Sequence, residues 1–287
     1  MTQHRNPLTV GAAEANQRFS RLLAEAEQGR EVIITRRGQP IARILPVAAD
    51  DDMSTETTPT IGRDPDAELP NYEQRRAIIA TCRRMNDVKL NQGTSGNASL
   101  RVPEGLLITP SGMDYDKMRP RDIVTVDYEG KVLRGHKAPS SEWHFHCRIM
   151  EARPEAGALL HTHSIHATTL ACLGRDIPPF HYMVAVCGDR DIRCTPYATF
   201  GTEKLADEAL KALEGRLACL LGNHGMLVLG RDIEDAFKRA VEVEAMAEQY
   251  LKALAVGKPQ LLTVGDMDVA LEKFKTYSGW ADPKRRR

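Results

Sequence analysis

The sequence predicts an α/β protein: a large domain with a central β-sheet flanked by helices, preceded by a small α+β block. Three observations carry this. From residue 70 onward, short apolar runs of strand length alternate with segments whose apolar residues recur at helical spacing. The first 47 residues read as a strand, a helix and a hairpin. Between the two lies an acidic stretch, residues 48–69, with seven Asp or Glu, one Arg and almost no large apolar side chain. Such a stretch buries too little surface to offset its ordering entropy and reads as a flexible linker. The expected organisation is therefore a front domain over 1–47, a linker over 48–69 and a main domain over 70–287.

In the front block, Leu8 to Val10 suggests a strand. Ala15, Phe19, Leu22, Leu23 and Ala26 recur at helical spacing, and Gly29 stops the helix. Val32 to Thr35 and Ile41 to Leu45 flank a turn at Arg37-Gly38-Gln39-Pro40, the pattern of a β-hairpin. So small a core calls for a partner. In the main block, Ile78, Ile79, Cys82, Met85 and Val88 form one face of an opening helix. Strands are expected at Ala98–Val102, Gly105–Thr109, Ile123–Val126, Ala158–Thr162, Leu217–Leu221 and Met226–Leu229. Thr202 caps a helix running to Leu213, Asp232 caps a longer one ending near Gly257, and Asp268–Tyr277 forms a last helix.

Composition narrows the function. Across 287 residues, 39 basic and 39 acidic side chains balance, so no global nucleic-acid signature exists. The front block differs, with seven Arg against four Glu, a charge that permits DNA binding without demanding it. The six cysteines contain no CxxC pair, which fits a reducing cytoplasm and argues against a zinc ribbon or a disulfide framework. No apolar run approaches the ~18 residues of a membrane span, and the N-terminus lacks a signal-peptide core.

The histidines carry the chemistry. His161 and His163 end the apolar run Ala158–Leu160, and residues i and i+2 of a strand share a face, so both imidazoles can address one cation. A third histidine would leave a position open for water or substrate. His224, entering a turn after Leu217–Leu221, is the preferred candidate, with His166 as a competitor. His144 and His146 are poor joint ligands if their segment is helical, because i and i+2 diverge there. Three loops rich in small residues accompany the pair: Gly93–Asn97, Thr109–Gly112 and Pro139–Glu142. Each alone is an ordinary turn. Together they offer the unpaired backbone N–H groups that bind phosphate, and no nucleotide P-loop motif is present.

In combination these motifs are similar to a known family. The segments LNQGTSGNAS (90–99), LLITPSGM (106–113), PSSEWHFH (139–146), HTHSIHATT (161–169), IPPFHYM (177–183), CTPYATFGT (194–202), NHG (223–225) and LEKFKTY (271–277) resemble the class II aldolase/adducin family, in particular its L-fuculose-1-phosphate aldolase branch. Val10–Pro46 resembles the Phd/YefM antitoxin family, which dimerises and binds operator DNA; residues 1–69 have no counterpart in such aldolases. The resemblance implies one catalytic Zn²⁺ per subunit held by His161, His163 and His224, with Glu142 as the acid/base and a metal ligand when substrate is absent. It implies phosphate binding by Gly96, Asn97, Ser111, Gly112, Ser140 and Ser141. Tyr182 would serve the aldehyde end from a neighbouring subunit of a homotetramer, and Phe200, Phe274 and Tyr277 would line that side.

The implied reaction is cleavage of a ketose 1-phosphate, such as L-fuculose 1-phosphate or a 5-deoxypentulose 1-phosphate, to dihydroxyacetone phosphate and an aldehyde. Zn²⁺ would stabilise the enediolate charge as a Lewis acid. Two alternatives share the resemblance. Pentulose-5-phosphate 4-epimerases carry an aspartate where Glu142 stands, and adducin-type relatives lack the metal histidines. A regulator that senses a sugar phosphate and binds DNA through residues 1–47 is a third.

Overall fold

The computed structural model describes residues 6–36, 38–45 and 64–277. It comprises two units, Met1–Arg63 and Asp64–Arg287. The acidic stretch over 48–63 and residue Arg37 of the expected turn lie outside the described residues.

In the first unit β1 (Leu8–Gly11) pairs in parallel with β2 (Val32–Arg36), which pairs antiparallel with β3 (Gln39–Ile44). Arg36 faces Gln39 across the β2–β3 pair, and Gly38 has φ +77°. The expected single helix is two: α1 (Ala12–Gln17) and α2 (Phe19–Glu27), broken at Arg18. Val10, Ala15, Leu22 and Val32 form the core. Phe19 and Leu23, expected on the same apolar stripe as Leu22, face solvent instead. They lie one turn apart along the outer edge of that stripe, while Leu22 and Ala26 at its centre and inner edge point inward.

The second unit opens with α3 (Tyr72–Asp87) and is built on a seven-stranded sheet. Its strands are β4 (Asn97–Val102), β5 (Gly105–Ile108), β6 (Val124–Val126), β7 (Val132–Arg134), β8 (Ala158–Thr162), β9 (Ala218–Leu221) and β10 (Gly225–Gly230). Their order is β7-β6-β5-β4-β8-β10-β9, and every pairing is antiparallel. The helices are α4 (Trp143–Ala152), α5 (Ile165–Cys172), α6 (Glu203–Ala212), α7 (Ile233–Val256) and α8 (Val264–Thr276).

Apolar layers cover both faces, which is why the central strands read as continuous apolar runs rather than as alternation. One layer takes Ala158 and Leu160 of β8 with residues of α3, α5 and α7; the other takes Leu159 with residues of α4 and α6. His161 has the parity of Leu159 and so faces the α4 side.

Two boundaries differ from expectation. The larger unit starts at Asp64, six residues ahead of the expected 70, because Asp66 is buried, pairs with Arg121 at 2.7 Å and accepts the Arg121 N–H. The last helix starts at Val264 rather than Asp268, because Thr263 and Asp266 form a reciprocal capping box. Among the described residues, no helix is long and apolar enough to cross a membrane.

Candidate active site

The site begins with strand register. Asn97 at the start of β4 lies directly opposite His161 on β8, and both project to the α4 face. Gly96 precedes them and packs against β8: a Cβ there would sit 2.7 Å from the His161 carbonyl oxygen and 2.8 Å from Asn91 Nδ2. On the other side of β8, β10 pairs Leu227 with His161. The turn into β10 is set by Asn223 at φ +56° and by Gly225, whose absent Cβ would fall 2.4 Å from the Thr162 carbonyl and 3.2 Å from His161 Cε1. Only glycine lets the His224 turn approach β8 this closely.

These constraints converge four side chains. The ligating atoms of His161, His163 and His224 all lie within 4.8 Å of one another. His161 is fully buried, and its Nδ1 lies 3.0 Å from the Met226 carbonyl. A carbonyl only accepts, so Nδ1 carries the proton and Nε2 turns a lone pair toward the cluster. That Nε2 is 2.9 Å from His163 Nε2 and 3.2 Å from Glu142 Oε2. Glu142 Oε1, 3.2 Å from His224 Nε2, is buried and accepts no hydrogen bond among the described residues. Glu142 stands at the N-cap position of α4, where its N–H donates to Ser140 Oγ at 3.3 Å.

Burial sets the charges. It lowers His163 and holds His161 well below its ordinary value of 6.5, with neighbouring His224 and His163 adding to the His161 shift. It also takes His224 down to about 4. Burial pushes Glu142 up to about 7 against the hydrogen bond from Asn97. Three neutral imidazoles and the Glu142 carboxyl therefore face one point with more lone pairs than protons. This donor set fits a divalent metal of zinc's preference for nitrogen and carboxylate oxygen.

The competing histidines are used elsewhere. His166 sits on α5 and pairs with Glu244 at 2.8 Å. His144 stacks on Trp143, while His146, on the other side of α4, points into the sheet.

The small-residue loops meet next to the cluster. Ser111 N–H donates to the Ala138 carbonyl and Ser140 N–H to the Thr109 carbonyl, which joins the Ser111-Gly112 turn to the Ser140-Ser141 turn. Ser140 is buried, whereas Ser111, Gly112 and Ser141 are exposed. Phe200 is exposed, and the next residue, Gly201, has its backbone beside the Ser141 carbonyl.

Tyr182, Phe274 and Tyr277 form a separate group. The Tyr182 and Phe274 rings stack with centroids 6.2 Å apart, Phe274 meets Tyr277 edge-on at 5.8 Å, and all three line a cavity of about 640 Å³. Among the described residues, no hydrogen bond, ion pair or ring contact joins this group to the histidine cluster.

Sequence reading missed Asn91. Its Oδ1 accepts from the His163 N–H at 3.3 Å and from Ser95 Oγ at 3.2 Å, while Nδ2 donates to the Tyr115 hydroxyl, itself bonded to the Gly96 carbonyl. Asn91 thus ties the Gly93–Asn97 loop to the histidine strand, although nothing in its local sequence marks it as a hub.

Residues 76–251 match the family model described as Class II Aldolase and Adducin N-terminal domain, and residues 8–68 match Antitoxin Phd_YefM, type II toxin-antitoxin system. A 5-methylthioribulose-1-phosphate/5-deoxyribulose-1-phosphate aldolase of Rhodospirillum rubrum is 53% identical over 203 residues, 71% of this chain and 91% of that protein. An L-fuculose phosphate aldolase of Escherichia coli strain K12 is 46% identical over 70% of this chain and 94% of its own length. A solved structure titled L-fuculose 1-phosphate aldolase superposes with a TM-score of 0.70 at 39% identity, covering 72% of this chain and 98% of that one.

Proposed function

The chain belongs to the class II aldolase and adducin family, and from that premise we propose that it is a zinc-dependent sugar-phosphate aldolase acting on a ketose 1-phosphate. The substrate class comprises L-fuculose 1-phosphate and 5-deoxy- or 5-methylthio-pentulose 1-phosphates, the compounds named in its relatives. The products are dihydroxyacetone phosphate and an aldehyde, L-lactaldehyde in the fuculose case. One observation carries the reading: His161, His163 and His224 converge, with Glu142 within 3.2 Å of two of them.

His161, His163 and His224 would hold the zinc, with Glu142 as a further ligand before substrate arrives. When bound, zinc supplies Lewis-acid stabilisation of the negative charge that develops on the dihydroxyacetone phosphate half. Gly96, Asn97, Ser111, Gly112, Ser140 and Ser141 would bind the phosphate, Asn97 and the turns through N–H groups and the serines through hydroxyls. As the C3–C4 bond breaks, its electron pair goes to C3, which takes a proton from Glu142. The C4 hydroxyl gives up its proton to become the aldehyde. A carboxyl held near pH 7 suits this exchange, since acid–base catalysts work best near the operating pH. Tyr182 would handle the C4 hydroxyl proton, with Phe200, Phe274 and Tyr277 against the aldehyde. In this reading Tyr182 reaches a neighbour's site in a homotetramer.

The front unit would pair with a second copy. Its match to a family of antitoxins and its exposed Phe19, Leu23, Ile41 and Leu45 support this, and DNA binding is the further role its arginine excess allows. A mobility-shift assay on the full chain tests that role. The enzymatic reading is tested by incubating the zinc-loaded full chain with each ketose 1-phosphate and measuring dihydroxyacetone phosphate. Release that stops on chelation supports it. Inversion at C4 of a pentulose 5-phosphate without release would favour the epimerase alternative.

A further inference from the structure

A line of buried side chains runs from the sheet to Glu142. His146 lies one turn after Glu142 on α4 and is fully buried. Its Nε2 is 2.6 Å from Asn97 Oδ1, and its Nδ1 is 2.7 Å from Ser99 Oγ. Asn97 Nδ2 donates to Glu142 Oε2 at 2.9 Å. Asn97 and Ser99 are alternate residues of β4 and point to the same face, so a single ring from α4 can meet both.

Chemistry fixes the direction of every bond in this line. Asn97 Nδ2 donates to Glu142 Oε2, so its NH₂ group is the end that faces Glu142. Its carbonyl oxygen then faces His146, whose Nε2 must carry the proton. Nδ1 is left with a lone pair, and the Ser99 hydroxyl donates to it. Burial pushes His146 down to about 3, so the ring is neutral and has the one donor and one acceptor that the line requires.

The consequence falls on Asn97. An amide has two orientations of nearly equal shape, related by a half-turn. In the one observed, one N–H serves Glu142 and the second remains for an anionic ligand. In the flipped one, the carbonyl oxygen would oppose both the carboxylate and a phosphate. Resting on the functional reading above, we propose that His146, held in one tautomer by Ser99, is a positioning residue that keeps the Asn97 N–H groups turned toward Glu142 and the substrate phosphate. If His146 merely filled space, any side chain of similar volume would serve.

The test uses the full zinc-loaded chain and three variants: His146→Leu, His146→Gln and Ser99→Ala. Zinc per chain, the Kd for inorganic phosphate by calorimetry, and kcat and KM are measured for each. His146→Leu is expected to weaken phosphate binding and raise KM by about tenfold or more, with zinc content near wild type; tenfold corresponds to about 1.4 kcal/mol. His146→Gln keeps an N–H donor near the Nε2 position and is expected to restore both to within about threefold, less than one hydrogen bond to a charged group contributes. Ser99→Ala frees the tautomer and is expected to fall between them. Wild-type phosphate affinity in His146→Leu would overturn the inference. So would a His146→Gln variant as defective as His146→Leu. If His146→Leu fails to fold, a Ser99→Ala variant equal to wild type in phosphate affinity and KM overturns it instead. An unmodified chain that binds zinc and phosphate yet cleaves no ketose 1-phosphate would defeat the aldolase reading alone, leaving the phosphate comparison to judge His146.

Discussion

Replacing Gly96 by alanine tests whether the meeting of β4 and β8 builds the site. The added methyl would lie 2.7 Å from the His161 carbonyl oxygen, 2.8 Å from Asn91 Nδ2 and 2.9 Å from Asn91 Cγ. Gly96 has no positive φ, so the perturbation is steric. Reaching the 3.4 Å of ordinary contact needs a shift of about 0.7 Å at the His161 carbonyl. That oxygen belongs to backbone in a paired strand and cannot rotate away. Overpacking of this kind costs about 1–3 kcal/mol. At roughly 2–4 °C per kcal/mol for a domain of this size, Tm should fall by about 2–12 °C. The movement acts on His161, Asn97 and Asn91 together, and a misplacement near 1 Å costs up to about 10²-fold in rate. Calorimetry and kcat/KM on the zinc-loaded variant measure both effects. Wild-type values for both would show that the two strands do not need this close approach.

The remaining expectations concern ligands, pH and domains. His224→Ala should lower zinc well below one per chain and nearly abolish cleavage; stoichiometric zinc in that variant would remove His224 from the ligand set. In the zinc-stripped protein, the buried histidines favour their neutral forms, so the stability they contribute is present above their ordinary 6.5. It is lost as pH falls through the folded values, about 4 for His224 and about 3 for His146. Glu142, raised to about 7, acts in the opposite sense between pH 4.5 and 7. The histidines outnumber it, so chemical denaturation should show a net loss on the order of a few kcal/mol between pH 6.5 and 3, and a flat profile would contradict the assigned protonation states. A chain of residues 64–287 should remain an active, zinc-loaded tetramer by light scattering and kinetics. An inactive or monomeric product would show that the front unit is part of the catalytic assembly.

Much of the site was legible because its chemistry is written locally. His161 and His163 declare a shared face by their i, i+2 spacing on an apolar strand, and the turn at His224 follows an equally clear strand. What brings them together is not local. The Asn97–His161 register, the Gly225 approach and the hub at Asn91 depend on an antiparallel order in which β8 sits between β4 and β10. Sequence patterns do not specify that order. β7 went unread because Val132–Arg134 is a three-residue exposed edge strand with no buried face. The start of α8 is set by a capping box, Thr263 with Asp266, that lies ahead of its first apolar-periodic residues. The role of His146 is not legible, since nothing in sequence reveals that a helical histidine will find Ser99 and Asn97 on a neighbouring strand.

The most direct test of the account is proton exchange at C3 of dihydroxyacetone phosphate in D₂O, followed by proton NMR with the zinc-loaded full chain and its Glu142→Gln variant. The wild-type chain should exchange one C3 proton without any aldehyde present. The variant should still bind phosphate but exchange about 10²–10⁴-fold more slowly. Exchange at the wild-type rate in Glu142→Gln, with zinc and phosphate binding intact, would contradict the assignment of Glu142 as the group that moves the proton.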